Sequence, residues 1–345
     1  MDFWIKILLD KYAYHIPLYR QALIMQQEDL PVSEGSLLAG LWKIATFLKP
    51  LYELMLEEIA FEDLIHADET RWLNFAKCYD LARLDEKTRQ WLWGFFSANF
   101  RLFVIDPSRG AAVIKEALGQ GETQTIAPIM VTDRYKAYLS VCGLIAFCWA
   151  HVRRDFIKWQ IKYPNDSELY DWCQTWLDLI GDLYAINHLR LQALKTDRFN
   201  AHQKQLEKVI RKMEKLNNQR YQHKIKQKQT QSMTNHWDGL TLFVDFHEIP
   251  MDNNLAEREL RGPVVGRKNF YGTHSDQSTE ATAIFYSIIV TLKLHKINLK
   301  KYLLEYLTYC ATHQKPPPKK ILKHFLPHHY AKKRPENLIS SLRSK

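Results

Sequence analysis

The hydrophobic pattern of this chain changes its period twice, and these changes constrain the fold more than any other feature. Residues 1–60 read as helices, because leucine and isoleucine recur at three- and four-residue steps after a candidate capping residue, Ser33. Short runs rich in Trp, Phe, Leu, Val and Ile follow, and the pattern becomes helical again from about residue 150 to residue 246. The short runs predict three strands, which we expect to be antiparallel, at residues 64–78, 90–96 and 100–106.

The elements that follow these strands define the expected fold class. Asp106-Pro107-Ser108-Arg109-Gly110 is a turn signal, residues 111–118 read as a helix, and two further strands are expected at 128–132 and 144–148. Three strands, then a helix, then strands and helices in alternation is the order of a ribonuclease H-like α/β domain, a mixed sheet flanked by helices. A helical insertion precedes the last helix of that core. The expected segments are a helical region at 1–60, the core at 61–150 and 247–310, the insertion at 151–246, and a basic tail at 311–345 opened by three prolines.

The positive charge of the chain is concentrated in two segments. The formal net charge is +10, yet residues 204–228 hold nine Lys or Arg against two Glu, and residues 315–345 hold nine against one Glu. The rest of the chain therefore has a negative formal net charge. This distribution suits a polyanionic partner held beside an acidic site. Two solvated helical faces are the alternative interpretation.

The five cysteines, an odd number without any C-x-x-C pair, argue against a disulfide framework and against a four-cysteine zinc module. No apolar run reaches membrane-spanning length, so no membrane partner is expected. The amino end has an acid before its short apolar stretch and no small-residue cleavage site, so a cytoplasmic location is expected.

Three acidic residues form the candidate catalytic site. Asp68 lies in the first predicted strand, Asp133 ends the fourth, and Glu257 begins a helical pattern that Asp252 is expected to cap. Carboxylates gathered from distant parts of the chain are the ligands that Mg²⁺ prefers. Two such ions, about 3.5–4 Å apart, can hold the attacking and leaving oxygens of a displacement at phosphorus. Taken singly, each acid could instead be a structural cap.

Several motifs, in order, resemble the insertion sequence 66 family of bacterial DDE transposases, over about Lys11 to Leu303. The matching segments are Lys11-Tyr12 with His15-Ile16-Pro17-Leu18-Tyr19-Arg20-Gln21, His66-Ala67-Asp68-Glu69-Thr70, Asp106-Pro107-Ser108-Arg109, Thr132-Asp133-Arg134-Tyr135-Lys136-Ala137-Tyr138, Cys148-Trp149-Ala150-His151-Val152-Arg153-Arg154, Asp252-Asn253-Asn254-Leu255-Ala256-Glu257-Arg258, and Gly266-Arg267-Lys268-Asn269.

This resemblance implies that Asp68, Asp133 and Glu257 are the catalytic triad and bind Mg²⁺, for which Mn²⁺ may substitute. It implies cleavage of DNA at element ends by water, followed by attack of the freed 3′-hydroxyl on target DNA. A homo-oligomer on the DNA, accessory proteins of the same element and association with the bacterial nucleoid are expected. Family members usually begin with a coiled-coil segment, a helix-turn-helix-like region and a zinc module. We expect these modules to be missing, because Met1 falls just before the first matching segment.

Secondary candidates surround these acids. Cys148 and His151 could ligate a metal, but one Cys and one His cannot complete a tetrahedral zinc site, so a structural or DNA-positioning role is favoured. Six basic residues could contact DNA phosphates, with a solvated surface as the alternative: Arg153, Arg154, Arg258, Arg261, Arg267 and Lys268. Trp237 could stack on a base, although core packing is the simpler interpretation.

Two alternatives to an active transposase remain open at this stage. The chain could be a non-catalytic remnant or regulator that binds element DNA, which the short amino end favours and the intact acidic triad opposes. It could also be a ribonuclease H-like nuclease unrelated to transposition, against which the helical insertion and the Asn253-Asn254 context of Glu257 argue.

Overall fold

A computed structural model describes residues 1–77, 89–119, 128–140 and 143–339. The strands are β1 Leu64–Leu73, β2 Arg89–Phe96, β3 Arg101–Asp106, β4 Ile129–Thr132 and β5 Ile145–Phe147. The helices are α1 Asp2–Tyr12, α2 Leu18–Gln27, α3 Glu34–Ile59, α4 Ala111–Ala117, α5 Trp149–Lys162, α6 Ser167–Gln192, α7 Phe199–Asn217, α8 Lys224–Thr234, α9 Trp237–Asp245, α10 Asn254–Phe270, α11 Asp276–Leu294, α12 Leu299–His313, α13 Lys319–Phe325 and α14 Pro327–Lys333.

The chain divides into two compact units. The first contains Met1–Pro128, Ser140–Cys142 and Leu255–Lys345, and the second contains Ile129–Leu139 and Gly143–Asn254. The second unit includes the whole of the predicted helical insertion together with β4 and β5. Two of the five cysteines, Cys78 and Cys142, lie outside the described residues, while Cys148, Cys173 and Cys310 are buried free thiols.

The strands of the first unit are antiparallel, as the sequence predicts. β2 pairs with both β1 and β3, so that Asp68 faces Gly94 and Trp91 faces Asp106. β1 ends at Leu73, before the expected residue 78. The reason is local, because the side chain of Asn74 accepts the N–H of Ala76 at 3.1 Å and starts a turn.

Helix α11 protects the outer edge of β3. The N–H of Phe103 donates to Oγ of Ser287 at 2.9 Å, and the N–H of Arg101 donates to Oγ1 of Thr291 at 3.0 Å. Exposed strand edges invite pairing with other chains, and hydroxyl groups from a helix remove this edge from solvent. This contact explains why α11, which is buried along most of its length, still carries several polar side chains.

The described part of the predicted basic tail, residues 311–339, is partly helical. Three prolines do separate it from α12, but it then folds into α13 and α14. Several of its apolar residues are buried, and α13 packs on α3. The buried set is Leu322, Phe325, Leu326 and Tyr330. Leu322 and Phe325 lie in α13, Leu326 joins the two helices, and Tyr330 lies in α14. The neighbouring lysines conceal these apolar residues in a simple charge count.

The second unit combines a parallel strand pair with five helices. β4 pairs with β5 in parallel, with Val131 opposite Ala146. The helical pattern predicted from residue 150 onward is confirmed. Trp172 and Trp176 of α6 pack against Phe156 of α5, with each ring centroid 5.4 Å from that of Phe156.

The fold is therefore of the mixed α/β class, with five strands and many flanking helices among the described residues. It is consistent with the ribonuclease H-like architecture predicted from the order of the elements. No helix within the described part of the chain combines the length and the apolar character needed to cross a membrane.

Candidate functional site

Asp68 and Glu257 line the same shallow cavity in the first unit, which has a volume of about 240 Å³. β1 contributes Asp68 with its neighbours Glu69 and Thr70. Helix α10 contributes residues three and four apart, which share one helical face. These are Glu257, Leu260, Arg261 and Val264. The structure thus brings two of the three predicted catalytic carboxylates together, 189 residues apart in the chain as counted from the sequence.

Three contacts hold α10 in place within the first unit. Glu259 forms an ion pair with the buried Arg101 of β3, with Nε and Oε1 separated by 3.4 Å. Gly266 packs so closely against Tyr286 that an added Cβ would lie 2.1 Å from the tyrosine oxygen. Arg267 donates to Oγ1 of Thr70 at 3.3 Å and also contacts the carbonyl oxygen of Arg71. The face that carries Glu257 is consequently fixed relative to β1.

Both carboxylates are partly exposed. Oδ1 of Asp68 accepts the backbone N–H of Glu69 at 2.9 Å, which orients the carboxylate. Glu257 lies in the first turn of α10, where the positive end of the helix dipole favours a negative charge. Asp252 accepts the N–H of Asn254 at 3.0 Å, so it caps this end of the helix from two residues before the helix begins.

An ion pair adjoins the cavity. Arg109 contacts Glu69 through Nη2 at 2.6 Å and through Nε at 2.9 Å, and its guanidinium lies over the ring of Trp91, 4.4 Å from the centroid. Strand alternation directs Glu69 to the face of β1 opposite to that of Asp68, in line with this pairing. The sequence alone assigns no function to Arg109, which lies within the turn signal after β3.

The chemistry of this pair fits a magnesium site. Mg²⁺ keeps several waters and is commonly bound by one or two carboxylates together with substrate phosphates. Across the described ranges, no group of three or more His, Cys, Asp or Glu side chains is arranged to hold a metal ion. Asp68 and Glu257, which line one cavity of the first unit, stay the predicted metal ligands there.

Asp133 belongs to the second unit, directly after β4. Its Oδ1 accepts the N–H of Tyr135 at 2.9 Å. It lines a cavity of about 400 Å³ together with His151 and Lys228, among others. The element type predicted for Asp133 is confirmed, since it ends a strand.

Cys148 ties the start of α5 to the segment that leads into α10. Its Sγ accepts the N–H of Asn253 at 3.2 Å, and burial raises the pKa of its thiol. His151, in the first turn of α5, contacts Nη2 of Arg154 through Nε2 at 3.1 Å. Cys148 and His151 thus have partners within the second unit, and their positioning role stays a prediction.

The predicted DNA-binding residues separate into distinct groups. Arg153 and Arg154 are exposed on α5 in the second unit. Arg261 lines the cavity of Asp68 and Glu257, and Lys268 is exposed nearer the end of α10.

Two of the predicted residues have other contacts. Arg258 does not line that cavity and extends toward Glu259 at 4.0 Å. Arg267 contacts β1, and burial lowers the pKa of its guanidinium. Their contacts with DNA stay a prediction. Trp237 packs edge-on against Trp149, with centroids 6.3 Å apart, in line with a packing role.

Comparisons with known proteins place the chain in a family. The profile described as "Transposase IS66 family" matches residues 2–281. Three curated proteins of Sinorhizobium fredii (strain NBRC 101917 / NGR234) are similar to the chain. Uncharacterized protein y4jD is 27% identical over 318 residues, covering 84% of this chain. Uncharacterized proteins y4qI and y4hP are 24% and 23% identical, covering 88% and 89%. The chain spans 58% of the length of each of these relatives.

Proposed function

The chain belongs to the IS66 family of transposases, and we propose that it catalyses Mg²⁺-dependent cleavage and strand transfer of DNA at the ends of an insertion sequence. The observation that carries this proposal is the shared cavity of Asp68 and Glu257, with Arg261 on the same face of α10. Membership of a transposase family implies that the chain acts on DNA. The metal dependence and the two chemical steps are the proposed part.

In this proposal Asp68 and Glu257 bind the metal, and Arg261 contacts a non-bridging phosphate oxygen, for which a guanidinium is well suited. Asp133 is proposed as the third ligand on the strength of the family resemblance. Bound Mg²⁺, or Mn²⁺ in its place, would supply the Lewis-acid chemistry of phosphoryl transfer. In the first step water attacks the phosphorus and the 3′-oxygen leaves. In the second step that 3′-hydroxyl attacks a target phosphate and displaces the 3′-oxygen of the target strand.

The proposed partners follow from this chemistry. They are the element ends, the target DNA, a second copy of the chain in the DNA complex, and accessory proteins of the same element. The proposed location is the bacterial cytoplasm at the nucleoid. Because the chain spans 58% of its curated relatives, recognition of the ends by a further segment or a separate protein is part of the proposal.

A second candidate is DNA binding without catalysis. The exposed lysines and arginine of α7 favour it, since they form a basic surface in the second unit. They are Lys204, Lys208, Arg211, Lys212 and Lys215. The two candidates differ in whether bound DNA is cut and joined.

A strand-transfer assay tests the proposal. Purified protein is mixed with Mg²⁺ or Mn²⁺, pre-cut element-end DNA and a target duplex, and joined product is measured. Glu257→Gln preserves the side-chain shape and should lower joined product by about 100-fold or more, as for loss of a group that stabilises the transition state. Glu280→Gln removes an exposed carboxylate of the same unit and serves as the matched control.

Joined product from wild type and Glu280→Gln, with none from Glu257→Gln, is the expected result. Equal product from Glu257→Gln would refute the assignment of this carboxylate. Tight DNA binding by the wild type without any metal-dependent product would favour the non-catalytic candidate.

A further inference from the structure

A second cavity in the first unit lies at the opposite end of α10 from Glu257. Its volume is about 490 Å³, and its walls come from the end of α1, the starts of α2, α3 and α11, and the end of α10. Its charged side chains are Lys11, Arg20 and Glu34, and Asn269 of α10 lines it as well. We call it the Lys11 cavity.

Lys11 is a partly buried cation that faces aromatic rings. Its Nζ lies 4.3 Å from the ring centroid of Phe270 and 5.6 Å from that of Tyr12. Among the described residues, its ammonium has no hydrogen bond or ion pair. Burial lowers the pKa of Lys11 to about 8, an effect that the charge of Glu34 partly opposes. A cation in such a place is costly to hold alone and gains from an anionic ligand.

Arg20 adds a second cation to the cavity. It is exposed, and its guanidinium also has no hydrogen bond or ion pair to the residues described. A guanidinium binds phosphate oxygens through two parallel hydrogen bonds. Two cations and the carboxylate of Glu34 leave one net positive charge, which matches the single negative charge of a phosphodiester.

Helix α10 sets the distance between the two sites. Twelve residues separate Glu257 from Asn269, which at about 1.5 Å of rise per residue is roughly 18 Å. One DNA strand advances about 3.4 Å per nucleotide, so this distance corresponds to about five nucleotides. We propose that the Lys11 cavity binds one backbone phosphate of the DNA strand whose end reacts at Asp68 and Glu257, about five nucleotides from that end. This inference rests on the proposed function for the identity of the strand.

The first test is the affinity for duplex DNA as a function of salt. Lys11→Met keeps the chain length of the side chain and removes its charge. We expect an affinity about tenfold lower, as for loss of one charged hydrogen bond, and a salt dependence of log K that is shallower by about 0.9. Lys6→Met, on an exposed position of the same helix, is the control and should change neither quantity. The midpoint temperature of thermal unfolding should be the same in Lys11→Met as in the wild type, or higher, because the substitution removes a cation that has no hydrogen bond or ion pair to the described part of the chain.

The second test locates the phosphate. Single methylphosphonate linkages, which are uncharged, are scanned from the third to the eighth nucleotide behind the reactive 3′ end. Wild type should lose affinity at one position near the fifth nucleotide, and Lys11→Met should be insensitive to that same replacement. Equal losses in both proteins, or no sensitive position, would overturn the proposal.

The third test uses pH. A bound phosphate raises the pKa of Lys11, so affinity should be greatest below about pH 8 and should fall as the pH rises above it. The other titratable or charged groups that line the cavity are Tyr12, Tyr19, Arg20, Glu34 and His274. Lys11→Arg keeps the charge without titrating and should lose this pH dependence. An unchanged profile in Lys11→Arg would assign the effect to another group and contradict the proposal.

These results separate the two proposals. Strand transfer by a wild type whose Lys11→Met variant binds DNA normally would overturn the phosphate site and leave the proposed function intact. DNA affinity that depends on Lys11, without any strand transfer, would contradict the proposed function and leave the phosphate site intact. A third outcome is that inorganic phosphate binds the protein while Lys11→Met leaves DNA affinity unaffected. This would mean that the cavity takes a free anion, and it would also overturn the proposed DNA phosphate site.

Discussion

Glu69 and Arg109 form an ion pair beside the candidate catalytic carboxylate Asp68. Arg109 donates from Nη2 and Nε to the same oxygen of Glu69, at 2.6 and 2.9 Å. The side chain of Glu69 is 1% exposed and that of Arg109 is 38% exposed. Because Glu69 directly follows Asp68 and donates its N–H to that carboxylate, the pair helps to fix the backbone that orients Asp68.

Arg109→Gln should therefore destabilise the protein. It leaves a buried carboxylate without its charged partner, and we expect a loss of about 2–4 kcal/mol in the free energy of unfolding, near the range for breaking a buried pair. Chemical denaturation measures this loss. Lys319→Gln, which breaks the exposed pair with Glu57, should change stability by less than about 1 kcal/mol. Equal effects of the two substitutions would show that the pair of Glu69 and Arg109 stabilises the protein no more than an exposed pair does.

The sequence predicts helices and strands well where the hydrophobic residues of a segment follow one period, either that of a helix or that of a strand. Asp68 in a strand, Asp133 at a strand end and Glu257 at a helix start all follow from the alternation of periods and from motifs that span a few residues. The antiparallel order of β1, β2 and β3 follows from short runs separated by short polar connections.

The pairing of distant side chains is not predictable in this way. Lys226 lies in a segment whose charge suggests a DNA-binding surface, yet it is buried and paired with Glu168, 58 residues earlier, at 2.6 Å. Arg267 similarly contacts β1 rather than solvent. Such contacts depend on how helices pack, which neither period nor composition records. The burial of Leu322, Phe325, Leu326 and Tyr330 does not follow from the charge count, because lysines between these apolar residues dominate it.

Asp133→Asn tests the third proposed metal ligand. If Asp133 acts with Asp68 and Glu257, the substitution should reduce strand-transfer product by about 100-fold or more, while DNA affinity stays within about twofold. Asp182→Asn, an exposed acid of α6 in the same unit, is the matched control. Metal-dependent product from Asp133→Asn at the wild-type level would remove this residue from the catalytic site.

Cys148→Ala tests the link between α5 and the segment before α10. It removes a buried sulfur and leaves the N–H of Asn253 without its acceptor. Cys173→Ala removes an equally buried sulfur for which no such bond is found in the described structure. We expect Cys148→Ala to lower the free energy of unfolding by about 1 kcal/mol more than the control. A difference near zero would indicate that the contact to Asn253 adds nothing.

The thiol of Cys148 should also respond to pH in a defined direction. Burial raises the pKa of this thiol in the folded state. Its contribution to stability is therefore complete below the pKa of an unfolded thiol, about 8.5, and is lost as the pH rises through the folded value. At pH 8 a thiol reagent should modify this thiol only slowly in the folded protein, as followed by peptide mass spectrometry. Rapid modification at pH 8 in the folded state would contradict the burial argument.

The basic surface of α7 should bind DNA through phosphates rather than bases. Replacing Lys208, Lys212 and Lys215 by Gln removes three exposed charges, and each lost phosphate contact should reduce the salt dependence of log K by about 0.9. The effect should be similar for unrelated DNA sequences. Lys226→Gln should instead lower stability, because Lys226 is buried against Glu168. An unchanged salt dependence in the triple variant would show that this face is only solvated.

Gly266→Ala tests whether close packing of α10 sets the position of Glu257. An added Cβ would lie 2.1 Å from the oxygen of Tyr286 and 2.9 Å from the Phe270 ring, so the helix or these rings must shift. We expect a loss of about 1–3 kcal/mol in stability, as for overpacking, and a reduction of strand transfer beyond the loss of folded protein. Gly262→Ala, four residues earlier on the same helix with open space around the added Cβ, should preserve both. Equal strand transfer per folded molecule in the two variants would show that the placement of Glu257 tolerates movement of the helix.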